Sequence, residues 1–187
     1  VIEDAAQSFG ATYKGKKSCN LSNIGSTSFF PSKPLGCYGD GGALFTNDDE
    51  LAEKFRWIRV HGQERKHHHP ILGINGRMDT IQAAILLEIL EVFPDEVKKR
   101  ENLGQTYSEG LAIIEGLETP RMGEHNTSVY AQFTILADQR EKIQKSLKKK
   151  EIPSVSYYSV PLHLQPVFEN LGHKEGDFPV AEKVANE

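Results

Sequence analysis

Apolar positions recur every second residue at the start of the chain, at helical spacing in its middle, and every second residue again in its last third. Residues 1–46 alternate short apolar runs with glycine-rich turns, which predicts strands at Val1–Glu3, Ser26–Phe30 and Gly42–Phe45, and a hairpin near Phe9–Tyr13. Asn47 is the expected helix cap, with Glu50 three residues on as its reciprocal partner. Leu51, Phe55, Ile58 and Arg59 then keep helical spacing until Gly62 stops the helix. Asp79 with Gln82 signals a second start, and Ile81, Ala84, Ile85, Ile89 and Phe93 form its buried stripe. Pro94 is expected to kink or restart that helix before Glu96–Leu111. Further on, Val129, Ala131, Phe133 and Ile135 alternate with polar neighbours as a half-buried strand does. Asp138 opens a helix that ends in Lys148-Lys149-Lys150, and Ile152–Tyr158 reads as a returning strand.

The change of rhythm after the long helix suggests two domains, residues 1–101 and a small α/β domain at 102–187. A chain of 187 residues with 38% hydrophobic content can bury a core, so disorder is excluded as its general state. The net charge of −4 argues against general binding to nucleic acid or anionic membrane. No apolar run reaches membrane-spanning length, and no signal peptide is visible. Cys19 and Cys37 have neither CxxC nor metal-type spacing, which fits reduced thiols in a cytoplasmic protein. The chain opens in mid-strand without methionine and closes within a helical pattern, so an internal fragment is expected.

Candidate chemistry centres on Lys33. It follows the apolar Ser28-Phe29-Phe30 and precedes Pro34 and a run of glycines that forces tight turns. A lysine held against apolar surface has its ammonium form disfavoured and can form a Schiff base. Upstream, Asp4 ends a short apolar strand. Pyridoxal phosphate (PLP) enzymes need that combination, a lysine for the cofactor aldehyde and an acid for the pyridine nitrogen. For an arbitrary Lys/Asp pair, a solvated loop lysine and an ordinary turn aspartate are the commoner outcome.

Four ordered segments change that balance: Glu3-Asp4-Ala5-Ala6-Gln7-Ser8, Ser28-Phe29-Phe30-Pro31-Ser32-Lys33, Gly39-Asp40-Gly41-Gly42-Ala43, and Asn75 to Ala84. Together they closely resemble the DegT/StrS family of PLP-dependent nucleotide-sugar aminotransferases. The resemblance implies an α/β, fold-type-I (aspartate aminotransferase-like) architecture: part of the PLP-binding large domain, then a small domain. It also implies a homodimer with shared active sites. The chain should then lack the N-terminal part that brings the glycine-rich phosphate turn and the ring stacked on PLP. Carried over by position, Lys33 binds PLP and shuttles a proton, and Asp4 faces the pyridine nitrogen. Gln7 lies near the phenolic oxygen, Ser28 donates to the phosphate, and Asn75 reaches the phosphate from the partner subunit. Arg77, whose fork suits a carboxylate, and Tyr158 are the substrate candidates; for Arg77 a salt bridge that merely shapes its loop is an equal reading.

The implied activity moves an amino group from L-glutamate onto a keto group of a nucleotide sugar, in the making of cell-surface polysaccharide or lipopolysaccharide sugars. The segment from Phe30 to Gly42 looks most like enzymes that aminate C3 of a UDP-linked 3-oxo hexuronate. Two departures stand out: Gly76 where the family usually has serine, and Tyr157 where many members have histidine. Rival readings are a PLP-dependent sugar dehydratase, a non-catalytic regulator on the same fold, and an inactive fragment. Dehydratases of this type carry histidine in place of the lysine, which counts against them here. No metal is expected, because adjacent His67, His68 and His69 cannot easily converge on one ion and no acidic or cysteine partner stands nearby. His163 reads as a loop histidine without a ligand, and Cys37 as a small buried filler.

Overall fold

Strand β1 (Ile2–Asp4) opens the structure, a computed structural model that describes residues 1–187. A two-residue hairpin follows, β2 (Thr12–Tyr13) against β3 (Lys16–Lys17). Lys14 and Gly15 at its tip have φ of 50° and 76°, the left-handed pair that a type I′ turn requires. Strand β4 (Ile24–Ser28) pairs in parallel with β1 and antiparallel with β5 (Gly42–Phe45), giving the sheet order β1-β4-β5. In that register Asp4 lies opposite Ser26, and Ser28 lies opposite Gly42. The carboxyl ends of β1 and β4 therefore share one edge with the start of β5.

Behind this sheet, Phe29, Leu35, Cys37, Leu86 and Phe93 form a buried cluster. The ring of Phe9 lies 5.9 Å from Phe29 and 5.8 Å from Phe93. Burying such a side chain contributes roughly 1.5–3 kcal/mol. Cys37 sits inside this cluster, as a small filler should, with its Sγ against the carbonyl oxygens of Phe29 and Gly39.

Helix α1 (Asp49–Ile58) is capped by Asp48, not by Asn47. The Asp48 carboxylate accepts the N–H groups of Glu50 and Leu51, whereas Asn47 donates to Asn20 instead. Helix α2 (Thr80–Leu111) continues through Pro94, so it does not restart there. The proline forfeits one backbone bond, but Phe93 and Val97, one turn apart, both pack against the core. Gly10, at φ 97°, lets them in: a Cβ there would stand 2.9 Å from the Phe93 ring. No helix is long and apolar enough to cross a membrane.

Two compact units divide within α2, one of Val1–Thr106 with Met122–Gln132, the other of Tyr107–Arg121 with Phe133–Glu187. The second contains β6 (Leu117–Glu118) paired antiparallel with β7 (Leu136–Ala137), α3 (Arg140–Lys149), 3-10 turns at Leu162–Leu164 and Pro166–Leu171, and α4 (Pro179–Asn186). Two predicted strands are absent. Along residues 129–135 burial still alternates, with Val129 buried and Gln132 and Thr134 exposed, yet no ladder forms. The left-handed Tyr130, at φ 40°, interrupts the extended path. Residues 152–158 also pair with nothing as a strand, and Ile152, Val155 and Tyr158 are exposed.

Candidate active site

Parallel pairing brings Asp4 and Ser28 to the same end of the sheet, and the Lys33 turn leaves from that end. This is the edge where open α/β sheets bind ligands. Asp4 Oδ1 accepts the N–H of Ala6 at 3.0 Å, closing a turn that fixes the carboxylate. Its second oxygen has no protein donor and stays available to one. Ser28 Oγ accepts the Phe30 N–H at 3.2 Å, which leaves the hydroxyl proton free to donate. Gln7 follows on the exposed turn after β1.

Lys33 is half-buried, and its backbone N–H closes a turn onto the Phe30 carbonyl at 2.8 Å. Its Nζ makes no hydrogen bond or ion pair. Apolar anchors flank the turn, Phe29 before the lysine and Leu35 and Cys37 after it, while Phe30 is half exposed. Gln82, read with Asp79 as the signal for the helix that does start at Thr80, also accepts the Tyr38 N–H at 2.8 Å and ties this loop to the start of α2. Sequence reasoning missed that role because the Asp–x–x–Gln spacing has a ready local explanation.

Asn75 and Arg77 lie in the exposed loop between α1 and α2. Asn75 pairs with Val60 in an isolated bridge. Arg77 makes no salt bridge; its Nη1 lies 3.2 Å from His61 Nε2. Tyr158 belongs to the second unit, 70% exposed, at a cleft of about 800 Å³ lined also by Leu162, Phe178 and Val184. A larger cleft of about 1020 Å³, against Thr27, Phe45, Phe55 and Arg59, includes none of the candidate residues.

The remaining candidates take structural parts. His163 is not free: its Nε2 lies 2.9 Å from Glu182 Oε1, and its ring packs on Phe178. His68 pairs at 2.8 Å with Glu64, an acidic neighbour that the sequence reading passed over. No group of His, Cys, Asp or Glu converges as metal ligands do. Burial first, and the Glu3 carboxylate second, push the Cys19 thiol up to about 11, far from a nucleophile's range.

The family model described as DegT/DnrJ/EryC1/StrS aminotransferase matches residues 1–187. The chain is 52% identical, over all its length, to the UDP-2-acetamido-2-deoxy-3-oxo-D-glucuronate aminotransferase of Pseudomonas aeruginosa, and covers 51% of that protein. It is 48% identical to a pleiotropic regulatory protein of Geobacillus stearothermophilus, again covering 51% of it. The chain thus spans about half the length of the curated relatives it matches. Among solved structures it superposes on Streptomyces venezuelae DesV in complex with a ketimine intermediate, with a TM-score of 0.94 and 37% identity over 98% of this chain and 50% of that one. A Brucella abortus aminotransferase of the same family gives 0.92 at 41% identity, over 99% of this chain and 49% of the other.

Proposed function

This chain belongs to the DegT/DnrJ/EryC1/StrS aminotransferase family, and we propose that the complete protein is a PLP-dependent aminotransferase acting on C3 of a UDP-linked 3-oxo hexuronate. L-glutamate is the amino donor in this reading, and the products are amino sugars for cell-surface polysaccharide. The observation that carries it is Lys33, whose Nζ has no protein partner on a turn at the sheet edge that also presents Asp4 and Ser28. The residues present fit the cofactor: a carboxylate oxygen without a donor for the pyridine nitrogen, a hydroxyl proton for the phosphate, and an uncommitted amine for the aldehyde carbon. PLP, when bound, supplies the electron withdrawal that loosens a proton on the carbon bearing nitrogen.

The chain's own residues do the rest. Asp4 holds the proton on the ring nitrogen, because a fixed carboxylate favours the protonated form. Ser28 donates to the phosphate, Gln7 faces the phenolic oxygen, and Lys33 Nζ carries the proton to and from the substrate carbon. In this reading Asn75 reaches the phosphate of a partner subunit's site in a homodimer. Arg77 and Tyr158 face the substrate. In this reading the first unit is part of the large PLP-binding domain, and the second is the small domain. Two buried, unpaired cysteines suit a cytoplasmic setting.

The test is reduction of the complete enzyme with borohydride in the presence of PLP, followed by peptide mapping. The label is expected on the peptide that carries Lys33, and it should vanish in Lys33→Ala. Labelling elsewhere overturns the assignment. Because one relative bears a regulatory name, binding alone does not suffice: transfer of glutamate nitrogen to the 3-oxo sugar must be measured, and a PLP-bound protein without turnover points to a regulator.

A further inference from the structure

We infer that His61 is a positioning residue that aims the Arg77 guanidinium, with its charge uncancelled, at a carboxylate of the substrate. This rests on the uronate reading above. An arginine N–H can only donate, so the 3.2 Å contact from Arg77 Nη1 makes His61 Nε2 the acceptor and puts the ring proton on Nδ1. A neutral acceptor orients the fork without neutralising it. Arg121, by contrast, is paired with Glu118 at 3.6 Å, and no carboxylate pairs with Arg77. A full positive charge on a planar fork, held by one corner, is what a bidentate carboxylate requires.

The platform under His61 is firm. Its N–H donates to Ile74 O at 2.9 Å, and its own carbonyl accepts from His69 Nδ1 at 3.0 Å. Ile74 N–H returns to Ile58 O, and Gly76 N–H to Arg59 O, so the segment carrying Arg77 is laced to the segment carrying His61. His61 has φ 66°, a left-handed conformation in which glycine or asparagine rests more easily.

Substitutions can separate aim from architecture. His61→Gly suits the backbone and removes the acceptor, His61→Phe keeps a ring without an acceptor, and His61→Asn suits the backbone and retains one. The measurement is steady-state kinetics of the complete PLP-loaded enzyme on the UDP-linked 3-oxo hexuronate and on the 3-oxo hexosamine that has CH₂OH in place of the carboxylate. Arg77→Ala serves as the reference. His61→Gly and His61→Phe are expected to raise KM for the uronate about tenfold more than KM for the hexosamine, as loss of a charge-assisted contact should. His61→Asn should keep most of the discrimination. If Arg77→Ala loses it while His61→Gly and His61→Phe keep it, the inference fails and the substrate reading stands. Equal losses on both sugars mean a merely structural histidine and also overturn the inference. Should Arg77→Ala itself leave the ratio unchanged, Arg77 does not read the carboxylate and both ideas fall, whereas Lys33 trapping still tests the aminotransferase reading.

Discussion

Glu182 gathers the N–H groups of Gly176 and Phe178 and the imidazole of His163 around one carboxylate. The Gly176 N–H is the largest of the influences that lower its pKa; burial opposes them, and His163 and Phe178 add to the lowering. A depressed carboxylate pKa stabilises the folded state above the unfolded value, roughly 4.3, and that contribution is lost as pH falls through the folded pKa. Amide hydrogen exchange at Gly176 and Phe178, corrected for intrinsic rates, should therefore show protection that fades in acid, below the pH at which a free glutamate titrates. Glu182→Gln should show weaker protection and no such step. A step that persists in Glu182→Gln would assign the effect to another group. Residue identity alone hid this site: His163 carries no spacing signal toward Glu182, and the turn before α4 had to bring them together.

Helix starts show how an element chooses among similar residues. Asn47 and Asp48 are adjacent and both are good caps, so sequence placed the start within one residue. The choice went to Asp48 because Asn47 is drawn off by Asn20, on a different turn. Asp48→Ala should cost about 1 kcal/mol of stability, read from the urea midpoint, and Asp48→Asn should recover most of it. Asn47→Ala should stay within about 0.5 kcal/mol of wild type. The reverse order would restore Asn47 as the cap. Strand errors had a different cause. A ladder needs a neighbour's backbone, and residues 152–158 have none, however extended their residue types. At Pro94 the helix continues, and Phe93 and Val97 beside it pack against the core.

For the whole molecule, the exposed loop of Asn75 bears on assembly. If it completes a partner's site, a mixed dimer of Lys33→Ala with Asn75→Ala contains one site with both residues intact. At limiting PLP such heterodimers should recover about half of wild-type activity, while each parent homodimer stays well below that. No recovery in verified heterodimers would place Asn75 in its own chain's site.

By itself, the sequence determined most strand and helix segments of the first unit and the α/β class, because turn glycines, strand alternation and helical spacing are properties of neighbouring residues. Lys33 after Phe30 and Asp4 at a strand end stood out as candidates only through the order of the four segments that resemble the family. Only the tertiary structure decided that Asp4 and Ser28 share an edge, since parallel pairing of β1 with β4 joins residues more than twenty positions apart. It also decided that Gln82 ties the lysine loop to α2 and that Arg77 meets a histidine instead of a carboxylate. Those contacts depend on which distant backbone and side-chain groups supply the missing hydrogen-bond partner, and no local pattern records that.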